Sequence, residues 1–190
     1  MYLGRSYPVT EAGGKPYDAK QIAKAISEGA IVAFFVGGSE FGPRALGHRS
    51  LLADPRNPNM KDTLNRRVKH REWFRPFAPV VLSERAPEWF EIDFESKLML
   101  FIAPIKQPAR IPAVAHIDGS ARLQTVSLED NPQLYGLIQE FERLTGVPIL
   151  LNTSLNDNGE PLVETPQDAL RFFRNHDVDF LILEDRVFAK

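Results

Sequence analysis

The sequence predicts an α/β domain with a mixed sheet flanked by helices. Three observations carry that expectation. Helix-like and strand-like segments alternate from about residue 18 to the end. Two of the strand-like segments, 31–36 and 147–151, are continuous apolar runs of the interior type. Several helix-like segments are preceded by a capping residue or closed by a glycine.

In chain order, Asp18 is placed to cap a helix that repeats Ile22, Ala25 and Ile26 and stops at Gly29. The strand Ile31–Val36 runs into a glycine-rich loop, followed by a short strand at Leu51–Ala53. Asp54-Pro55-Arg56-Asn57-Pro58 is dense in turn formers, and Asn59 is placed to cap a helix that spaces Met60, Leu64 and Val68 four apart. Strands are expected at Phe77–Leu82 and Leu98–Ala103, then a proline-rich crossing through 104, 108 and 112, then a strand at Arg122–Leu128. Leu134, Leu137, Ile138, Phe141 and Leu144 mark an amphipathic helix closed by Gly146. The strand Val147–Leu151 opens into Asn152-Thr153-Ser154-Leu155-Asn156. Thr165 and Asp168 form a capping box around Pro166, and Val178–Leu183 is the last sizeable strand. With no repeat and no clear linker, residues 1–190 read as one domain.

Composition narrows the partners. A net charge of −2, with pI near 6.1, argues against nucleic acid and anionic membrane surfaces. No apolar stretch approaches the roughly 20 residues of a membrane span. Residues 1–14 lack the apolar core of a secretory signal, and there is no cysteine for disulfide, thiolate metal site or nucleophile. A cytoplasmic location is the expectation.

Chemistry concentrates in four places. Gly37, Gly38, Gly42 and Gly47 let the loop after the first core strand approach a ligand, and Arg44 and Arg49 add planar forks suited to phosphate or carboxylate. Open α/β sheets hold anions where a strand ends in such a loop. Residues 66–75 carry five cations (Arg66, Arg67, Lys69, Arg71 and Arg75) with Trp73 and Phe74 interleaved. Arg66 and Arg67 also suit a helix end, whereas Lys69, Arg71 and Arg75 lead into a core strand. Asn152 and Ser154 sit directly after a core strand, where they either meet a ligand or simply bond the backbone of a turn. His116, Asp118 and Arg122 form a fourth polar block, a weak pattern for a metal. Walker, dinucleotide-binding and nucleophile-elbow motifs are absent, and no metal site is expected.

Taken together, Tyr2-Leu3-Gly4, Glu40-Phe41-Gly42-Pro43-Arg44-Ala45-Leu46-Gly47, Phe74-Arg75-Pro76-Phe77-Ala78-Pro79, Asp118-Gly119-Ser120-Ala121-Arg122 and Asn152-Thr153-Ser154 resemble the C-terminal domain of the nodulation and antibiotic-biosynthesis O-carbamoyltransferases. The match runs in register along the chain. It implies a YrdC-like fold, a twisted mixed sheet flanked by helices. It also implies use of ATP and carbamoyl phosphate as substrates, with Mg2+ accompanying the nucleotide, to form carbamoyl adenylate. An actin-like, ASKHA-type domain, in the same longer protein or a separate chain, then transfers the carbamoyl group. By the same resemblance Arg44, Lys69, Arg71, Arg75 and Arg122 contact nucleotide or carbamoyl-phosphate oxygens, and Ser154 with Asn152 meets the phosphate or carbamoyl end. Lys69, Arg75 and Ser154 stand nearest the reaction. Gly38 and Ser39 depart from the pattern, which has an arginine and an apolar residue there. A non-catalytic nucleotide-binding or docking module and an RNA-binding domain are the alternatives.

Overall fold

A computed structural model describes residues 3–9 and 13–190 of the chain; Tyr2 of the first motif lies outside them. After the two-residue strand β1 (Lys15–Pro16), Asp18 accepts a hydrogen bond from the Lys20 N–H and starts α1 (Ala19–Ser27), which buries Ile22, Ala23 and Ile26. β2 (Val32–Phe35) is buried at every position, as its unbroken apolar run requires, and so is β3 (Arg49–Ala53). α2 (Met60–Arg67) follows, but Asn59 lies in the helical region and makes no side-chain cap; instead the Asn57 side chain accepts from the Asn59 N–H. The turn-forming Asn57 sits two residues nearer the preceding turn, so it takes the free amide first.

β4 (Ala78–Leu82) leads through a 3₁₀ turn into the short α3 (Ala86–Trp89). β5 (Ile102–Pro104) begins later than the apolar run at 98 suggests, because Met99 takes a left-handed φ of 53° and breaks the extension. The proline-rich crossing contains two 3₁₀ turns, at Pro108–Arg110 and Pro112–Val114. The expected strand Arg122–Leu128 is two strands, β6 (Ser120–Arg122) and β7 (Gln124–Val126), hinged at the fully buried Leu123. β6 pairs with β5 in a small sheet and β7 with β4 in the main one, which leaves Arg122 at the junction.

α4 (Pro132–Thr145) starts at Asn131, whose side chain accepts from the Leu134 N–H, and ends at Gly146 with φ 69°. β8 (Ile149–Ser154) extends through Ser154, so Asn152 and Ser154 are strand residues and share one face of the sheet. α5 (Pro166–Asn175) has the expected capping box, and β9 (Phe180–Leu183) and β10 (Arg186–Ala189) close the chain as a hairpin.

The main sheet has the order β1-β10-β9-β2-β3-β8-β4-β7. Its β2–β9 and β4–β7 pairs are parallel and the rest antiparallel, so the sheet is mixed. One apolar core joins the sheet to α1, α4 and α5, through side chains such as Phe34, Ile26, Phe141 and Phe172. The strand leaving the glycine-rich loop runs antiparallel to the one entering it. That loop is therefore a long hairpin connection rather than a strand-to-helix turn.

Candidate functional site

The hairpin loop is organised by Glu40. Its Oε1 accepts hydrogen bonds from the N–H groups of Leu46 (2.6 Å), His48 (2.7 Å) and Arg49 (3.3 Å), and the residue is buried. Gly47 has φ 101° and a Cβ there would lie 2.4 Å from Leu134 Cδ2, so the loop seats directly on the first turn of α4. Asn131 Nδ2 fixes it by donating to the Gly47 carbonyl. Gly38 is equally confined, since a Cβ would lie 2.4 Å from the Gly4 carbonyl oxygen. That contact with the segment at Leu3 and Gly4 leaves no room for the arginine of the family pattern.

Arg49 is not a ligand fork. It is fully buried in β3, donates to the carbonyls of His48, Val36, Gly37 and Glu164, and lies over the Phe35 ring at 3.5 Å. Burial pushes its guanidinium below its ordinary pKa, and it serves as an internal strut.

Arg44 is placed differently. It projects from the same loop beside Arg122, and neither side chain makes an ion pair or hydrogen bond to any described residue. Burial, with Arg44 adding to it, lowers the Arg122 pKa, and Arg122 Nε is buried without a partner. Two unpaired cations held together by the fold form an anion-attracting pair. Asn152 secures the loop beneath them: its Nδ2 donates to the Ala45 carbonyl and to Gln124 Oε1, while Gln124 Nε2 donates to the Leu46 carbonyl. Asn152 is thus a positioning residue for the Arg44 loop, and its own Oδ1 is buried without a partner.

Two residues along the same face of β8, Ser154 meets the second group of cations. Lys69 Nζ, almost fully buried, lies within hydrogen-bonding reach of the Ser154 carbonyl (2.9 Å), Ser154 Oγ (3.3 Å), the Asn156 carbonyl (2.5 Å) and Asn156 Oδ1 (2.7 Å). Ser154 Oγ in turn donates to Asn156 Oδ1 at 2.6 Å. All four acceptors are neutral. Burial first, then Arg71 and Arg75, lowers the Lys69 pKa to about 7, against a smaller opposing pull from Asp157. Arg71 donates to Asn65 Oδ1, covers the Phe77 ring at 4.6 Å, and has its pKa lowered to about 10 by burial and Arg75. Arg75 is half exposed and lies 3.6 Å from Glu72, a loose surface pair.

Asn156, the last residue of the Asn152–Asn156 block and not among the expected ligand residues, is the side chain that anchors Lys69. The signal was available, since it lies two residues beyond Ser154 and so returns to the same edge. His70 and His176 have no helical ligand spacing in the sequence, yet with Asp157 their ligand atoms converge within 4.8 Å of one another. His116 and Asp118 instead serve their own turn, both bonding Ser120. Beside the Lys69 group lies a cleft of about 480 Å3 lined by Asp62, Asn65, Arg66, His70, Arg71 and the exposed Trp73. A larger hollow of about 810 Å3, bounded by α1, α5 and β10, shares no residue with these clusters.

The family described as carbamoyltransferase C-terminus matches residues 23–190. The chain belongs to this family. It is 47% identical over 177 residues to nodulation protein NolNO of Sinorhizobium fredii, covering 90% of this chain and 26% of that protein. It is 38% identical over 171 residues to 3'-hydroxymethylcephem-O-carbamoyltransferase of Amycolatopsis lactamdurans, covering 90% of this chain and 33% of that protein. The chain thus spans between a quarter and a third of these relatives. Among solved structures, full-length HypF in a phosphate- and nucleotide-bound form superposes with a TM-score of 0.65 at 23% identity, over 88% of this chain and 25% of HypF. At that identity the likeness bears on the fold, which is YrdC-like. No helix among the described residues is long and apolar enough to cross a membrane.

Proposed function

We propose that this carbamoyltransferase-family domain binds ATP and carbamoyl phosphate and forms carbamoyl adenylate for a transferase domain. One observation carries the reading: Arg44 lies beside Arg122, Lys69 beside Arg71, and none of the four side chains has a carboxylate within ion-pair or hydrogen-bond distance among the described residues. Buried or half-buried cations without counterions are costly unless an anionic ligand completes them. The HypF structure in a phosphate- and nucleotide-bound form supports nucleotide chemistry on this fold, and the cephem relative's name supports the carbamoyl group.

Hydrolysis of carbamoyl phosphate gives carbamate and inorganic phosphate. A carbamate oxygen then attacks the α-phosphorus of ATP, the bond from that phosphorus to the bridging oxygen breaks, and pyrophosphate leaves with the electron pair. In the hydrolysis one water proton goes to the released phosphate and one to solvent; in the adenylation the nucleophile is already anionic, so that step needs no general base. The obstacle is repulsion between like charges, roughly 4 kcal/mol per pair at 4 Å and an effective dielectric of 20. Arg44, Arg122 and Arg75 offset it by direct contact, and Lys69 by a charge held in place through Ser154 and Asn156. The product passes to an actin-like carbamoyl-transfer domain.

Calorimetric titration of the chain with ATP and Mg2+ tests the reading. The expected result is saturable binding that Arg122→Met weakens at least about tenfold, the cost of one charge-assisted contact. Absence of ATP binding at millimolar concentration would overturn it. The exposed Trp73 and Phe74 beside the 66–75 cations favour one other reading, stacking of RNA bases. Tight, steeply salt-dependent RNA binding without ATP binding would select that reading instead.

A further inference from the structure

His70, Asp157 and His176 lie 87 and 19 residues apart in pairs and meet beside the Lys69 anchor. His70 Nδ1 is 2.8 Å from Asp157 Oδ2, and His176 Nε2 is 3.1 Å from the same oxygen. The other ring nitrogen of His176, Nδ1, lies 3.0 Å from the Phe172 carbonyl oxygen. A carbonyl only accepts, so Nδ1 carries the hydrogen. In the neutral ring, Nε2 therefore presents a lone pair directly to a carboxylate oxygen. Two lone pairs at this distance repel unless a proton on Nε2 or a metal ion stands between them. A histidine whose far nitrogen donates to a backbone carbonyl is also the arrangement that fixes a metal-ligating ring.

Two further observations point the same way. The His176 ring is locked by stacking on Phe172, with centroids 4.0 Å apart and planes 11° from parallel. His70 adopts a left-handed φ of 42°, an unfavourable conformation for a non-glycine residue, which turns its ring toward Asp157. All three ligand atoms lie within 4.8 Å of one another. A tetrahedral ion bound at about 2.1 Å spaces its ligands about 3.4 Å apart, so the cluster needs only a small adjustment to close on an ion. The half-exposed His70 side chain leaves the outer side open to solvent.

From this geometry we propose that His70 Nδ1, an Asp157 carboxylate oxygen and His176 Nε2 form a three-ligand site for one divalent transition-metal ion of the Zn2+ class. Two imidazoles and one carboxylate suit such an ion better than Mg2+ or Ca2+, which prefer all-oxygen shells. The site joins the segment after α2 to the end of β8: His70 follows Lys69, and Asp157 follows Asn156. A bound ion therefore pins together the two segments that hold the Lys69 ammonium, and keeps an open position for water or an anion. The assignment stands independently of the nucleotide reading.

Competition for Zn2+ between the 190-residue chain and a chromophoric chelator tests it, with Co2+ absorption as a second readout. The expected result is one equivalent bound at micromolar or tighter affinity, with Co2+ giving the d–d bands of a low-coordinate N/O site. Asp157→Asn and His176→Ala each weaken binding about a hundredfold or more. His116→Ala, outside the cluster, leaves it unchanged. Should either of these variants fail to fold, His70→Ala decides, because its side chain is half exposed and its loss opens no cavity. No stoichiometric Zn2+ binding, binding that survives removal of a ligand in a folded variant, or binding lost equally in His116→Ala would overturn the assignment. The nucleotide titration fails or succeeds separately, since it is read without added transition metal.

Discussion

Replacing Glu40 by glutamine isolates what shapes the arginine loop. The side chain keeps its length, but three charge-assisted bonds to the N–H groups of Leu46, His48 and Arg49 become neutral ones. A bond to a charged group contributes about 1.5–3 kcal/mol and a neutral one about 0.5–1.5. The two short bonds, at 2.6 and 2.7 Å, therefore lose about 1–1.5 kcal/mol each. Glutamine also puts an NH2 where Oε2 now lies buried without a partner, and removes the attraction that partly compensates buried Arg49. The sum is about 2–4 kcal/mol. For a domain of this size that lowers Tm by roughly 5–15 °C in a thermal unfolding scan. ATP affinity should fall as well, because the Arg44 loop loses its internal anchor. A variant that melts within about 1 °C of the parent, on the same scale, would refute the reasoning.

Gly47→Ala should destabilise the chain by about 1–3 kcal/mol through its positive φ, and further through the contact with Leu134; an unchanged denaturant midpoint contradicts this. Arg75→Lys keeps the charge and disturbs only a loose pair with Glu72, so Tm should hold while adenylation falls about a hundred- to thousandfold; full turnover with a lowered Tm reverses the assignment. The Asp168 carboxyl sits below its usual pKa because Thr165 donates to it, so its stabilisation is full above about pH 3.9 and is lost as pH falls through the lower folded value. Asp168→Asn should therefore cost about 1 kcal/mol at pH 7 and progressively less toward pH 3; a Tm gap that widens on acidification contradicts that sign.

Much of the fold was legible because its signals are local. The Thr165–Asp168 box, the Asp18 cap and the glycine after α4 are decided within one helical turn, and each is where the spacing placed it. Functional roles were less legible because they depend on distant partners. Arg44 and Arg49 look alike in sequence, yet Arg49 faces Phe35 and four carbonyls inside the sheet while Arg44 lies beside Arg122. Asn152 and Asn156 are likewise separated by which side chain crosses to meet them: Gln124 in one case, Lys69 in the other. The split of one expected strand into β6 and β7 follows from two competing sheet edges, which no local pattern encodes.

Pyrophosphate release from ATP, measured with the 190-residue chain in the presence and absence of carbamoyl phosphate, tests the central claim most directly. Release should require carbamoyl phosphate and fall at least about a hundredfold in Lys69→Met. Release independent of carbamoyl phosphate, or unchanged by Lys69→Met, would contradict it.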